Sequence, residues 1–135
     1  MTLLTWNHDR TVGVRAMDDQ HGILMDAINE LRLAQSHGSG REQIAEIFDR
    51  LIEFSRMHFW SEEQLMEKAN YEGLSEHRAL HHKMLAEMLQ VAHQLQYGDG
   101  TNLEAKLGSM RGHFLRHVEE VDALYGPSLN RIDIF

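Results

Sequence analysis

A chain of 135 residues with a formal charge of −8 fits one domain and argues against a nucleic-acid backbone as partner, because phosphate binding needs a basic surface. The absence of cysteine excludes disulfide scaffolds, thiolate zinc sites, iron–sulfur clusters and cysteine nucleophiles. Ten histidines against three lysines is the unusual count, and without a histidine tract it points to imidazole working on a metal.

Residues 1–17 read as an N-terminal arm in which Trp6, Val12 and Val14 offer apolar surface for packing. The N-terminus lacks a basic region followed by a long apolar run, and no stretch approaches the roughly 18 apolar residues of a membrane span. The expectation is a soluble cytoplasmic protein. From about residue 18 to residue 125 the sequence has a helical period and no proline. Glycine-rich polar connectors at Ser36–Gly40, Asn70–Gly73 and Tyr97–Asn102 divide it into helices at about 18–37, 41–69, 75–97 and 102–124. Ser75 and either Thr101 or Asn102 are candidate N-caps. Short connectors between long helices force antiparallel neighbours, so the predicted fold is all-α, an up-down-up-down four-helix bundle in a single domain, 1–135.

The inward stripe of the first helix is His21, Leu24, Ile28 and Leu31. The second runs Ile44, Ile47, Phe48, Leu51, Ser55, His58, Glu62 and Leu65. The third is His77, Leu80, His81, Met84, Met88, Val91 and Leu95, and the fourth is Leu103, Leu107, Met110, Phe114, His117 and Val121. Every stripe carries at least one histidine where a hydrophobe is the ordinary occupant. His58/Glu62 and His77/His81 have i,i+4 spacing, which stacks side chains on one helical face and lets them converge on a metal. A lone histidine of this kind is more often a core residue bonded to a carbonyl. Several on four stripes would cost about 1–3 kcal/mol each if left without partners, and one shared metal centre removes that cost. Imidazole with carboxylate suits iron, manganese or zinc. One zinc takes about four ligands and this core offers more, which favours a pair of octahedral ions.

The ordered set Trp6, Val12-Gly-Val14, Asp19-Gln-His21, His58-Phe-x-x-Glu62-Glu63-x-x-Met66, His77-x-x-x-His81, His117-Val-x-x-x-Asp122 and Leu124-Tyr-Gly-Pro127 spans nearly the whole chain. In this set the sequence resembles the hemerythrin family in its bacterial single-domain form. The resemblance implies a non-haem di-iron centre with an oxo or hydroxo bridge. It implies that His21 and His58 bind one iron, that His77, His81 and His117 bind the other, and that Glu62 and Asp122 bridge both. One iron is then left with an open position, where the family binds dioxygen reversibly for storage, delivery or scavenging. An oxygen-consuming enzyme is the partner such a role implies.

Two points of spacing stay open on the residues alone. Asp122 lies five residues after His117, about 140° off its face on a straight helix at roughly 100° per residue, so it must reach in from a helix end or a distorted turn. His113 shares the face of His117 and spacing does not exclude it as a ligand; the family position is commonly tryptophan. Leu24, Phe59, His113, Phe114 and Val118 are the candidate walls of a ligand pocket, with plain core packing as the alternative. His82 and Trp60 read as outward, His8, His37 and His93 as surface residues, Glu63, Glu119 and Glu120 as solvated, and Met66, Met84, Met88 and Met110 as core filler. The resemblance implies a binding protein rather than an enzyme. The alternatives are an oxygen or redox sensor acting through a partner and a di-iron oxidoreductase handling peroxide or nitric oxide, with His113 as proton donor.

Overall fold

A computed structural model describes residues 11–98 and 102–135. Four long helices build the bundle: α1 (Arg15–Ser36), α2 (Arg41–Lys68), α3 (Leu74–Tyr97) and α4 (Leu103–Arg116). A wide π turn (His117–Val121) and a 3₁₀ turn (Asp122–Leu124) follow, and a short helix α5 (Gly126–Asn130) ends the fold. Each long helix packs on the next in the chain, α1 on α2, α2 on α3 and α3 on α4. No helix among the described residues is long and apolar enough to cross a membrane.

The helix ends follow from local chemistry. Gly38 takes a left-handed φ of 72° after α1, and the N–H of Ser39 donates back to the carbonyl of Ala34 at 3.0 Å. Asn70, at φ 52°, does the same work after α2, where the N–H of Tyr71 reaches the carbonyl of Met66 at 3.0 Å. α3 begins one residue before Ser75, with Gly73 at its cap, so Ser75 caps nothing. Asn102 occupies the cap position of α4 with left-handed φ and no side-chain cap bond. Thr101, Trp6 and His8 lie outside the described residues.

Among the described residues two apolar clusters organise the interior. The larger joins Leu24, Ile28, Leu51, Met88, Leu107 and Phe114 with their neighbours along the bundle axis. Each such side chain contributes about 1.5–3 kcal/mol by leaving water. The smaller cluster gathers Val12, Val14, Met17, Met66, Tyr125 and Leu129, and ties the described part of the arm to the C-terminal segment. A Cβ on Gly126 would run into the carbonyl of Val12, so the two segments approach as closely as only glycine allows. The buried cluster of polar residues includes Glu62 of α2, which Tyr125 of this smaller core contacts.

The stripes are mostly where the period puts them. Met66 is fully buried, as expected of core filler, whereas Leu65, placed on the inward stripe of α2, is only half-buried. Leu80 is 38% exposed, so the inward stripe of α3 narrows to the two histidines at that level. Met84, Leu103 and Val121 sit at the boundary of the core.

Candidate metal centre

Among the described residues eight polar ones lie buried in the bundle, and seven of them are His21, His58, Glu62, His77, His81, His117 and Asp122; Ser55 is the other. α1 delivers His21. One turn of α2 delivers His58 and Glu62, and one turn of α3 delivers His77 and His81, as i,i+4 spacing requires. His117 and Asp122 meet differently. The N–H of Asp122 donates to the carbonyl of His117, an i→i+5 bond that widens the helix by one residue. The wide turn cancels the off-face angle of a straight helix and brings Asp122 Oδ1 to 2.9 Å from His117 Nε2. Where 102–124 reads as one helix, the regular α-helical path stops at Arg116 and the carboxylate is turned inward.

The two carboxylates sit between two sets of imidazoles. Glu62 Oε1 lies 3.2 Å from His58 Nε2 and 3.3 Å from His81 Nε2, and its Oε2 lies 3.3 Å from His21 Nε2. Asp122 Oδ1 lies 2.8 Å from His77 Nε2, and its Oδ2 lies 3.0 Å from His21 Nε2. The side chains therefore form two overlapping groups that could each hold a cation: Glu62, His77, His81, His117 and Asp122 in one, and His21, His58, Glu62 and Asp122 in the other. Both groups use Glu62 and Asp122.

The donor set fits a metal. Glu62 Oε1, His81 Nε2 and Asp122 Oδ1 are buried without a hydrogen bond among the described residues. Orphaned buried polar atoms cost about 1–3 kcal/mol each, and these three face one another where a cation would satisfy them together. The charges agree. Burial works against a charge on His21, yet hydrogen bonds and charge from Asp122 and Glu62 outweigh it and push His21 up to about 10. Burial likewise opposes a charge on His81, and Glu62 still raises it. Burial favours a neutral Glu62, but His58, His21 and His81 hold it well below the usual carboxylate range. For Asp122, burial and the charge of Glu62 work the same way, and His117, His21 and His77 overcome both and lower it. The pocket is thus built for bound positive charge.

A second ring of residues holds the first. His58 Nδ1 donates to Gln20 Oε1 at 2.7 Å, and His81 Nδ1 donates to Glu63 Oε2 at 2.8 Å. Arg78 Nε donates to Glu63 Oε1 at 3.0 Å. Tyr125 donates its hydroxyl proton to Glu62 Oε2 at 2.6 Å. Burial and the charges of Glu62 and Asp122 push the Tyr125 phenol well above its ordinary value, so it stays a donor. Such outer bonds fix imidazole tautomers and carboxylate orientation. Sequence reasoning assigned none of these roles and read Glu63 as solvated. Glu63 is in fact only 16% exposed and spent on His81. Its partner comes from α3, so no spacing rule within α2 could reveal it.

Phe59 lies nearly parallel on the ring of His81, with centroids 4.0 Å apart, and Phe114 stands edge-on to His21 at 6.5 Å. Leu24, Phe59 and Phe114 line an apolar cavity of about 30 Å³, with His113 and Glu87 on its outer wall. A few tens of Å³ accommodates a molecule the size of water. Larger clefts lie elsewhere, one of about 280 Å³ between α1 and α4. Val118 is buried in the main core and does not line the small cavity. His113 does not join the polar cluster: it is 49% exposed and bonds the Glu87 carboxylate at 2.9 Å. His37, His82 and His93 are exposed, as is Trp60 at 64%.

Residues 12–129 match the family model described as the hemerythrin HHE cation binding domain. Bacteriohemerythrin of Methylococcus capsulatus is 31% identical over 131 residues, covering 96% of this chain and 99% of that protein. Bacteriohemerythrin of Pseudomonas aeruginosa is 30% identical over 125 residues, covering 93% of this chain and 80% of that one. A solved structure described as wild-type hemerythrin superposes with a TM-score of 0.84 at 31% identity, covering 95% of this chain and 98% of that chain.

Proposed function

Since the chain belongs to the hemerythrin family, we propose that its polar cluster holds two iron ions and that the protein binds dioxygen there reversibly, for storage, delivery or scavenging. The observation that carries this reading is the pair of overlapping donor groups sharing Glu62 and Asp122. In the proposed assignment His21 and His58 hold one iron, His77, His81 and His117 hold the other, and the two carboxylates span both. When bound, the irons supply the electrons that dioxygen takes up and returns.

The protein's own residues do the rest. Leu24, Phe59 and Phe114 line a small apolar cavity, and the rings of Phe59 and Phe114 also pack on His81 and His21; that lining admits a neutral diatomic molecule and disfavours bulk water. Gln20 and Glu63 lock two imidazoles in the tautomer that presents Nε2 inward. Tyr125 occupies one lone pair of Glu62 and keeps that carboxylate turned toward the cluster. The reading of an oxidoreductase leans on His113 as a proton donor, and the hydrogen bond of His113 with Glu87 takes its imidazole toward solvent instead. We place the protein in the cytoplasm, supplying an oxygen-consuming enzyme.

Metal analysis and optical spectra of the reduced protein, before and after oxygen, test this. The expected result is two irons per chain and a coloured oxygenated form that bleaches on deoxygenation. Iron-free, colourless protein would overturn it.

A further inference from the structure

If the cluster is the two-iron centre proposed above, its two metal positions are backed unequally. Behind His58 stands a neutral amide, Gln20 Oε1, at 2.7 Å. Behind His81 stands a carboxylate, Glu63 Oε2, at 2.8 Å. A charged acceptor makes the stronger hydrogen bond and draws the Nδ1 proton further from the ring. The imidazole it leaves is a more strongly donating ligand. Glu63 has its own partner. Arg78 Nε donates to Glu63 Oε1 at 3.0 Å, and Arg78 Nη2 donates to Glu67 Oε2 at 3.4 Å. The chain His81–Glu63–Arg78 runs from a fully buried ring to an arginine side chain that is 41% exposed. By holding one oxygen of Glu63, Arg78 withdraws charge from the other and limits the pull on His81.

We propose that the Arg78–Glu63 pair sets the donor strength of His81, making the three-histidine position the one that favours the higher oxidation state and leaving the Gln20-backed position easier to reduce. Arg78 and Glu63 are positioning residues: both act through the outer nitrogen of His81. The inference deepens the two-iron reading and rests on it. It also predicts signs that a merely structural role would not. Glu63→Gln removes the charged acceptor and should raise the reduction potential of the centre. Arg78→Gln frees Glu63 to pull harder and should lower it. Gln20→Glu installs the same charged backing behind His58 and should lower the potential of the other iron.

The experiment is a spectroelectrochemical titration of iron-loaded wild type and these variants, with iron release to a chelator as a second readout. The expected shift for Glu63→Gln is about 59 mV upward, a tenfold change in a one-electron equilibrium, with faster iron release. Arg78→Gln should shift the opposite way and slow release. Glu67→Gln removes a carboxylate from the same arginine without touching His81, and should move the potential far less than Glu63→Gln. Equal shifts for Glu63→Gln and Glu67→Gln would mean a general field effect and overturn the inference, as would unchanged potentials in Arg78→Gln and Gln20→Glu. Should Glu63→Gln fail to fold, Arg78→Gln, on an exposed side chain, carries the test with Gln20→Glu. Wild-type protein that takes up no iron would defeat the two-iron reading itself, whereas iron-loaded variants with wild-type potentials would defeat this inference alone.

Discussion

The phenol of Tyr125 donates to Glu62 Oε2 at 2.6 Å across 63 positions of sequence, with both side chains buried. This one bond joins the C-terminal segment to the last two turns of α2, at one of the two carboxylates common to both donor groups. Tyr125→Phe removes the donor and leaves the ring. A hydrogen bond to a charged group contributes about 1.5–3 kcal/mol, so the metal-free protein should lose several degrees of Tm by scanning calorimetry. Loss of an outer-shell partner typically weakens metal binding about 10–100-fold. Chelator competition should show that loss, and unchanged affinity would mean that Glu62 is held without Tyr125.

His77→Ala and His82→Ala separate buried from exposed histidines on one helix. His77 is 2% exposed and 2.8 Å from Asp122, whereas His82 faces solvent. The first variant should lose iron and the second should keep a full complement, measured by metal analysis on purified protein. Equal iron in both would contradict the assignment.

Above about pH 6 a rise in pH should act oppositely on the metal-free fold and on the metal's contribution to stability. In the metal-free fold His21 titrates at about 10, against about 6.5 in an unfolded chain. Its contribution is therefore complete below pH ~6.5 and lost as pH rises toward 10. Glu62 and Asp122 are depressed, so their contribution is present above pH ~4.5 and lost as pH falls. The metal-free protein should be most stable at about pH 5–6. Metal binding requires deprotonated imidazoles, so the metal's contribution grows with pH. The Tm gap between the two forms should widen from pH 6 to pH 9. A gap that narrows over that range would show that His21 does not carry the proton in the metal-free fold.

Gly126→Ala places a methyl group against the carbonyl of Val12. Overpacking of this kind costs about 1–3 kcal/mol. Denaturant unfolding should register it, and limited proteolysis should cut the region before α1 faster than in wild type.

The bundle and most of the cluster were legible because straight α-helices make spacing sufficient. His58/Glu62 and His77/His81 need only an i,i+4 count, and both pairs are buried side by side. Asp122 was legible only as a contradiction: five residues after His117 is the wrong face, and a backbone change resolves it. His113 shows the converse limit. It shares the face of His117 by spacing, but Glu87 of α3 offers a hydrogen bond at the surface, and the side chain turns outward. Glu63 and Tyr125 were invisible as supports because their partners are far away in sequence, and the helical period carries no cross-helix information. Val118 follows a ligand-type histidine and lies deep in the core without bordering the cavity.

The π turn has a further consequence for how this segment tolerates change. It acts as a phase shift in the helical register: residues before it and after it obey the same rotation per residue but from different starting angles. Removing one residue between His117 and Asp122 would restore a continuous α-helix and even improve its backbone hydrogen bonding. It would also place Asp122 four residues after His117, on the same face, whereas closing the turn with every residue kept would rotate Asp122, Tyr125 and Leu129 together by roughly 100° away from their present neighbours. The π turn thus absorbs one extra residue and keeps two blocks of sequence in step. This stretch should accept substitutions at its exposed positions, Glu119 and Glu120, far more readily than an insertion.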